Sequence, residues 1–169
     1  MKNLAAEIPQ RAFINAQIIQ RVHDSGAFQA AAHEVSRGYG IQDYQFMNPA
    51  YVASLLYCLL VVPRHLFLEG KEEFWDSQVP PATISSHFAI KTAGPDVLQR
   101  SSWFLRKLRN AVAHARFEVD ENLMFVFRDG RSDDVVDFEV QASADKLMAF
   151  LSDVGSKLAN LRSSPSLVQ

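Results

Sequence analysis

Arg109, Asn110 and His114 have the side chains and the spacing to handle a phosphodiester. RNA breaks without a metal when its own 2′-hydroxyl attacks the neighbouring phosphate. Such a site needs a proton carrier and a cation facing the charge that builds on the phosphorane. Histidine titrates near neutrality and can carry the proton. Arginine presents a fixed fork of donors that matches a phosphate. Asn110 and His114 stand four residues apart and so share a helix face. From there Asn110 could orient the imidazole or touch a phosphate. Near a helix C-terminus, the negative dipole end favours the protonated, acid form of His114. Spacing also sets a limit. Arg109 and His114 are ~140° apart around a helix and ~7.5 Å apart along it. One rigid helix does not put both head groups on one phosphate. Either the helix ends before His114, or the site combines residues from two chains.

Each of these residues also has a purely structural reading. Asn110 could cap backbone groups, Arg109 could pair with Glu118 or Asp120, and His114 could be a satisfied core histidine. The three together in this context favour chemistry. The other histidines, His23, His33, His65 and His87, form no metal-spacing or acid–base set and are expected to be structural or exposed. Ser101-Ser102 and the other serines show no nucleophile motif. There is no glycine-rich phosphate loop and no zinc pattern, so neither a cofactor nor a metal is expected. The single cysteine, Cys58, lies in an apolar run and reads as a buried small hydrophobe. One cysteine cannot form an internal disulfide, which makes a reducing cytoplasm the simplest setting.

A net charge of −2 argues against broad, charge-driven binding to nucleic acid. It leaves room for a local basic site, and the charges are unevenly placed. Between Val97 and Phe117 stand five basic residues, Arg100, Arg106, Lys107, Arg109 and Arg116, with no acidic one. Between Glu118 and Glu139 there are eight acidic residues against Arg128 and Arg131. Arg106, Lys107 and Arg116 are the candidate RNA contacts around the three central residues. The plainer reading is a solvated helix face that pairs with its acidic neighbour.

The elements that must position these residues are mostly helical. A chain of 169 residues suits one domain with a real core, here residues 1–162, with 163–169 as a frayed tail. Residues 9–38 read as one or two helices, with Pro9 in a first turn, a possible break at Ser25-Gly26 and an end at Gly38-Tyr39-Gly40. Asn48-Pro49 starts a buried helix from Tyr51 to Leu68, kinked at Pro63. Its apolar run, Val52 to Val62, is too short to cross a bilayer, and the N-terminus lacks the apolar core of a signal peptide. A short helical turn follows through Glu72, Phe74 and Trp75, and residues 82–92 give no clear pattern. Gly94-Pro95-Asp96 opens the basic helix, whose apolar stripe of Leu98, Leu105, Leu108, Val112 and Ala115 runs through residue 115. Arg109 and His114 lie off that stripe. Leu123 to Phe127 and Val135 to Val140 alternate as a β-hairpin with Asp129-Gly130 in the turn. Leu123, Phe125, Phe127, Val136, Phe138 and Val140 form its buried face, with Arg128, Asp133 and Asp134 exposed. Ser143 caps a closing helix with a core face from Leu147 to Leu161.

The segment from Leu108 to Phe117 resembles the HEPN family. Its signature is an arginine, a polar residue and, a few positions on, a histidine, at the end of a helix in a helical bundle. The matching residues are Arg109, Asn110 and His114. The apolar stripe leading in, the hairpin and the closing helix carry the resemblance over roughly residues 95–161. It implies a mainly α fold, a HEPN-like helical bundle with a C-terminal β-hairpin followed by a closing helix. The resemblance is to small, stand-alone HEPN proteins of plasmids and mobile elements. It further implies a homodimer whose motif helices face each other, the two-chain solution to the spacing limit. The implied activity is metal-independent endoribonuclease cleavage of cytoplasmic RNA. Arg109 would stabilise the phosphate, Asn110 would orient and His114 would transfer protons. A toxin or defence role would bring a neutralising partner that one chain does not identify. The rival is a HEPN-like RNA- or protein-binding module that does no catalysis.

Overall fold

The computed structural model describes residues 4–41, 48–62, 69–93, 100–132 and 135–163. They form a mainly α fold with a small antiparallel sheet. Helices α1 (Leu4–Asp24) and α2 (Ala27–Gly38) part at Ser25-Gly26. Gly26 takes φ 76° there, a conformation open to glycine at little cost. α1 starts earlier than expected, so Pro9 lies inside the helix. It removes one N–H from the second turn, not a free one from the first. Little of α2 is covered: Ser36 is its one buried residue, and Ile14, Ile18, Val22, Val35 and Tyr39 of this helical pair are exposed.

Asn48 caps α3 (Pro49–Leu56), its Oδ1 accepting from the Tyr51 N–H at 3.0 Å. The helix passes into a π-helical turn, Tyr57–Val61. Val52, Leu55, Leu56, Leu59 and Leu60 are buried, as the all-apolar run requires. The expected continuation to Leu68, with its kink at Pro63, lies outside the described residues, as does His65. The stretch with no clear pattern contains two elements, α5 (Pro81–His87) and strand β1 (Ala89–Ala93), after α4 (Glu72–Gln78). β1 offers little alternation because it is a short edge strand, paired to one neighbour only.

The basic helix is α6, described from Ser101 to Ala113. Its proposed opening at Gly94-Pro95-Asp96, and Leu98, lie outside the described residues. Phe104, Leu105, Leu108 and Val112 are buried, whereas Ala115 is exposed beyond the helix end. After it come β2 (Phe117–Val119), β3 (Met124–Ser132), β4 (Val135–Ser143) and α7 (Ala144–Ser163). The expected hairpin is therefore the centre of a four-stranded antiparallel sheet, ordered β1-β4-β3-β2. Phe125, Phe127, Phe138 and Val140 are fully buried beneath α6 and α7. Phe104 of α6 meets Phe138 edge-on at 5.6 Å, and Phe88 meets Phe150 of α7 at 5.0 Å. Leu147, Phe150, Leu151, Val154 and Leu158 form the core face of α7. Leu161 and residues 164–169 fall outside what is described of this end.

The hairpin differs from expectation at several points: Leu123 lies before β3 and is half-buried, and Arg128 is half-buried between Glu118 and Glu139. Asp129-Gly130 is not the turn. Both residues lie within β3, where Asp129 pairs with Phe138, and Ser132 pairs with Val135. The connection thus falls on Asp133 and Asp134, outside the described residues. Val136 is 38% exposed, not buried. It pairs with Gly130, where the register is irregular and the strands leave the helix-covered region. A side chain at Gly130 would collide with the Val135 carbonyl, so this irregularity requires glycine.

Candidate functional site

The end of α6 decides the geometry. The Ala115 N–H donates to the Val112 carbonyl at 3.2 Å, and the Arg116 N–H to the Ala111 carbonyl at 2.8 Å. This pair of bonds is a Schellman turn. His114 is its C-cap residue, and Ala115 takes the left-handed φ of 53°. Glycine usually fills that position. Its absence lets the apolar stripe read one residue too far in the sequence. Ala113 is the last helical residue, but the His114 N–H still donates to the Asn110 carbonyl at 3.0 Å, so His114 keeps its place on the helix face and the spacing limit on a single chain stands.

Arg106, Asn110, Ala113 and His114 line one face of this helix end. Arg106, Ala113 and His114 are exposed and Asn110 is half-buried. His114 has no side-chain partner among the described residues, so it is not a satisfied core histidine. Arg109 lies beside this stripe and is only 8% exposed. Its Nη2 donates to Asn110 Oδ1 at 2.6 Å, and its Nη1 lies 3.9 Å from Glu69 Oε1. It does not pair with Glu118, which meets Arg128 at 2.8 Å, or with Asp120, whose carboxylate accepts from the Asn122 and Met124 N–H groups. Arg109 thus lies off the apolar stripe, as its spacing implies, and is nonetheless buried.

A buried carboxylate holds the cluster together. Asn110 Nδ2 donates to Asp129 Oδ2 at 3.2 Å, and Asp129 is 5% exposed. Lys107 Nζ reaches the same oxygen at 3.1 Å, and Arg116 Nη1 comes within 3.6 Å of the other. Lys107 also pairs with Asp137 at 2.7 Å and lies 5.4 Å from the Trp103 ring centroid. Arg116 Nη1 donates to the Gly130 carbonyl at 3.3 Å. A carboxylate withdrawn from water needs such cations and donors. The bonds also fix Asn110 uniquely, with its oxygen towards Arg109 and its amide towards Asp129. An amide positions the guanidinium and leaves its charge intact; a carboxylate at residue 110 would neutralise it. Asn110 thus orients Arg109, and no side-chain bond joins it to His114 among the described residues.

The three candidate RNA contacts differ. Arg106 is exposed, with no side-chain partner among the described residues. Lys107, 13% exposed, is held by its two aspartates. Arg116 is one-third exposed and tied to the Asp129–Gly130 segment. The residue types of Asp129-Gly130 suit a turn, which conceals Asp129 as a site residue. A signal existed: Phe125, Phe127 and Asp129 alternate, so a strand two residues longer puts an acid on the buried face. Such an acid demands cations, and the basic helix supplies them. Among other reactive groups, Cys58 is half-buried, and burial pushes its thiol pKa up, away from nucleophilic use. Hydrogen bonds from Arg128 to Glu139 and Glu118 raise the Arg128 pKa further, so that guanidinium stays charged.

The model of the HEPN pEK499 p136 family matches residues 1–164. The chain belongs to this HEPN-type family. No curated protein and no solved structure matches it. The family match extends well beyond residues 95–161, taking in α1 to α5 as well as the motif helix and the sheet. Membership of a HEPN-type family points to a nuclease or an RNA-related module. Among the described residues no helix is long and apolar enough to cross a membrane.

Proposed function

We propose that this HEPN protein is a metal-independent endoribonuclease that cuts cytoplasmic RNA by 2′-hydroxyl attack. The observation that carries this reading is the linked arrangement at the end of α6. Asp129 holds Asn110, Asn110 holds Arg109, and His114 stands exposed on the adjoining turn. Arg109 stabilises the charge on the phosphorane, Asn110 keeps its fork aimed, and His114 moves protons. Arg106 contacts RNA directly, while Lys107 and Arg116 support the site through Asp129. The protein acts as a homodimer, with the stripe of Arg106, Asn110 and His114 facing a second copy across the RNA. A toxin or defence role is the setting that the family resemblance suggests for such an activity.

A non-catalytic binding module is the second reading. The specific observation in its favour is the exposed apolar surface of α1 and α2, including Ile18, Val35 and Tyr39, which is the kind of surface that docks proteins. Incubating purified protein with single-stranded RNA in excess chelator separates the two. The enzyme reading expects cleavage, reduced ~10²–10⁴-fold in His114→Ala. Cleavage by His114→Ala at the wild-type rate removes the catalytic assignment. RNA binding without cleavage by the wild type moves the protein to the second reading.

A further inference from the structure

Arg109 is 8% exposed and its Nη2 is taken up by Asn110, so a phosphate must reach the rest of its guanidinium from another side. A cleft of about 140 Å³ opens between α4 and α6 and has Arg109 in its wall. The same cleft is lined by Arg100, Ser102 and Arg106 from the start and middle of α6. Ser102, Arg106 and Arg109 follow each other at helical spacing, and Arg100 precedes them at the N-cap position. Arg100 and Arg106 are exposed, and neither has a side-chain partner among the described residues. In a chain of net charge −2, two such unneutralised guanidinium groups share one cleft with the motif arginine.

Two carboxylates also line the cleft. Glu72 Oε1 accepts from the Gly70 N–H at 3.2 Å, which ties it to the turn before α4. Glu69 Oε1 stands 3.9 Å from Arg109 Nη1 and its side chain is 45% exposed. Its carboxylate faces the same guanidinium that a phosphate oxygen would contact. Asp76 does not compete for the same space, because it accepts from the Ser102 N–H at 2.7 Å, against the helix start.

We infer that the α4–α6 cleft is the subsite for the RNA backbone flanking the cut, with Arg100 and Arg106 each contacting a phosphate and Glu69 displaced as the strand enters. The inference rests on the endoribonuclease or RNA-binding reading and adds to it a path for the strand. The RNA runs along α6 from Arg100 towards His114, which ~1.5 Å per residue makes ~21 Å of helix. The ligand is a single strand, since a cleft this small admits one backbone and not a duplex.

The experiment uses the full-length chain and a 2′-O-methyl oligoribonucleotide, which binds but cannot cleave. Fluorescence anisotropy across a salt series reads log Kd against log salt. Each lost phosphate contact to a single strand lowers the slope by ~0.7. Arg100→Ala and Arg106→Ala should each lower it by about that amount, and the double variant by ~1.4. Arg11→Ala, on α1 and paired with Glu7, should leave it unchanged. Glu69→Gln should tighten binding by removing the competing carboxylate. Both arginines are exposed, so loss of fold does not confuse the result. Wild-type binding with an unaltered slope in both arginine variants overturns the cleft assignment and leaves the RNA reading standing. Weaker binding by Glu69→Gln counts against the displacement step. Absence of any wild-type RNA binding overturns the subsite and the parent reading together.

Discussion

Replacing Asp129 by alanine should be among the most damaging single changes in the sheet. The carboxylate is 5% exposed and serves Lys107, Asn110 and Arg116 at 3.1, 3.2 and 3.6 Å. Breaking a buried ion pair by removing one partner typically costs ~3–5 kcal/mol, because the other charge stays behind uncompensated. Two features bring the expected loss to the lower end of that range. Lys107 keeps Asp137 at 2.7 Å, and Arg116 keeps the Gly130 carbonyl at 3.3 Å. A loss of ~3 kcal/mol in a chain of this length lowers Tm by ~6–12 °C. Thermal and urea denaturation followed by circular dichroism measures it. Asp129→Asn keeps the shape and loses the charge, so its loss should be smaller. The Lys107→Ala and Asp129→Ala double-mutant cycle should show a coupling of ~1 kcal/mol or more. A loss in Asp129→Ala within ~0.5 kcal/mol of zero, the range of ordinary surface changes, would refute the role given to this residue.

Ala115→Gly should stabilise the protein by ~1 kcal/mol, since it relieves the left-handed alanine at the end of α6; chemical denaturation reads the gain, and a loss of stability would count against the Schellman turn. Phe125→Ala should cost ~3–5 kcal/mol, whereas Val136→Ala, at a residue 38% exposed, should cost far less; equal losses in the two would contradict the observed end of the buried sheet face.

Much of the fold could be read from periodicity, because α3, α6, α7 and the β3–β4 pair bury continuous apolar patterns. The break at Ser25-Gly26 and the cap at Asn48 were legible for local reasons, a left-handed glycine and a side-chain acceptor. The edge strands β1 and β2 were not. A strand of five or three residues at a sheet edge carries too few alternations to register, and the pairing of β1 depends on β4, far along the chain. The turn at Asp129-Gly130 was misplaced because its residue types suit a hairpin, while the register set by Phe125, Phe127, Phe138 and Val140 puts the connection later. At the site, residue types named Arg109, Asn110 and His114, but not what surrounds them. The burial of Arg109 arises from the elements packed around α6, which no local pattern contains, and the Asp129 network shows in the sequence only through the alternation of Phe125, Phe127 and Asp129.

In the proposed reaction the RNA supplies its own nucleophile beside Arg109 and His114. The direct test is the product end left by the full-length protein on a defined single-stranded RNA in chelator, compared with the same RNA carrying one 2′-deoxy sugar at the cut. The unmodified strand should end in a 2′,3′-cyclic phosphate, with no cleavage at the deoxy position. Cleavage that proceeds unchanged at the deoxy sugar, or that leaves a 3′-hydroxyl, would contradict this reaction.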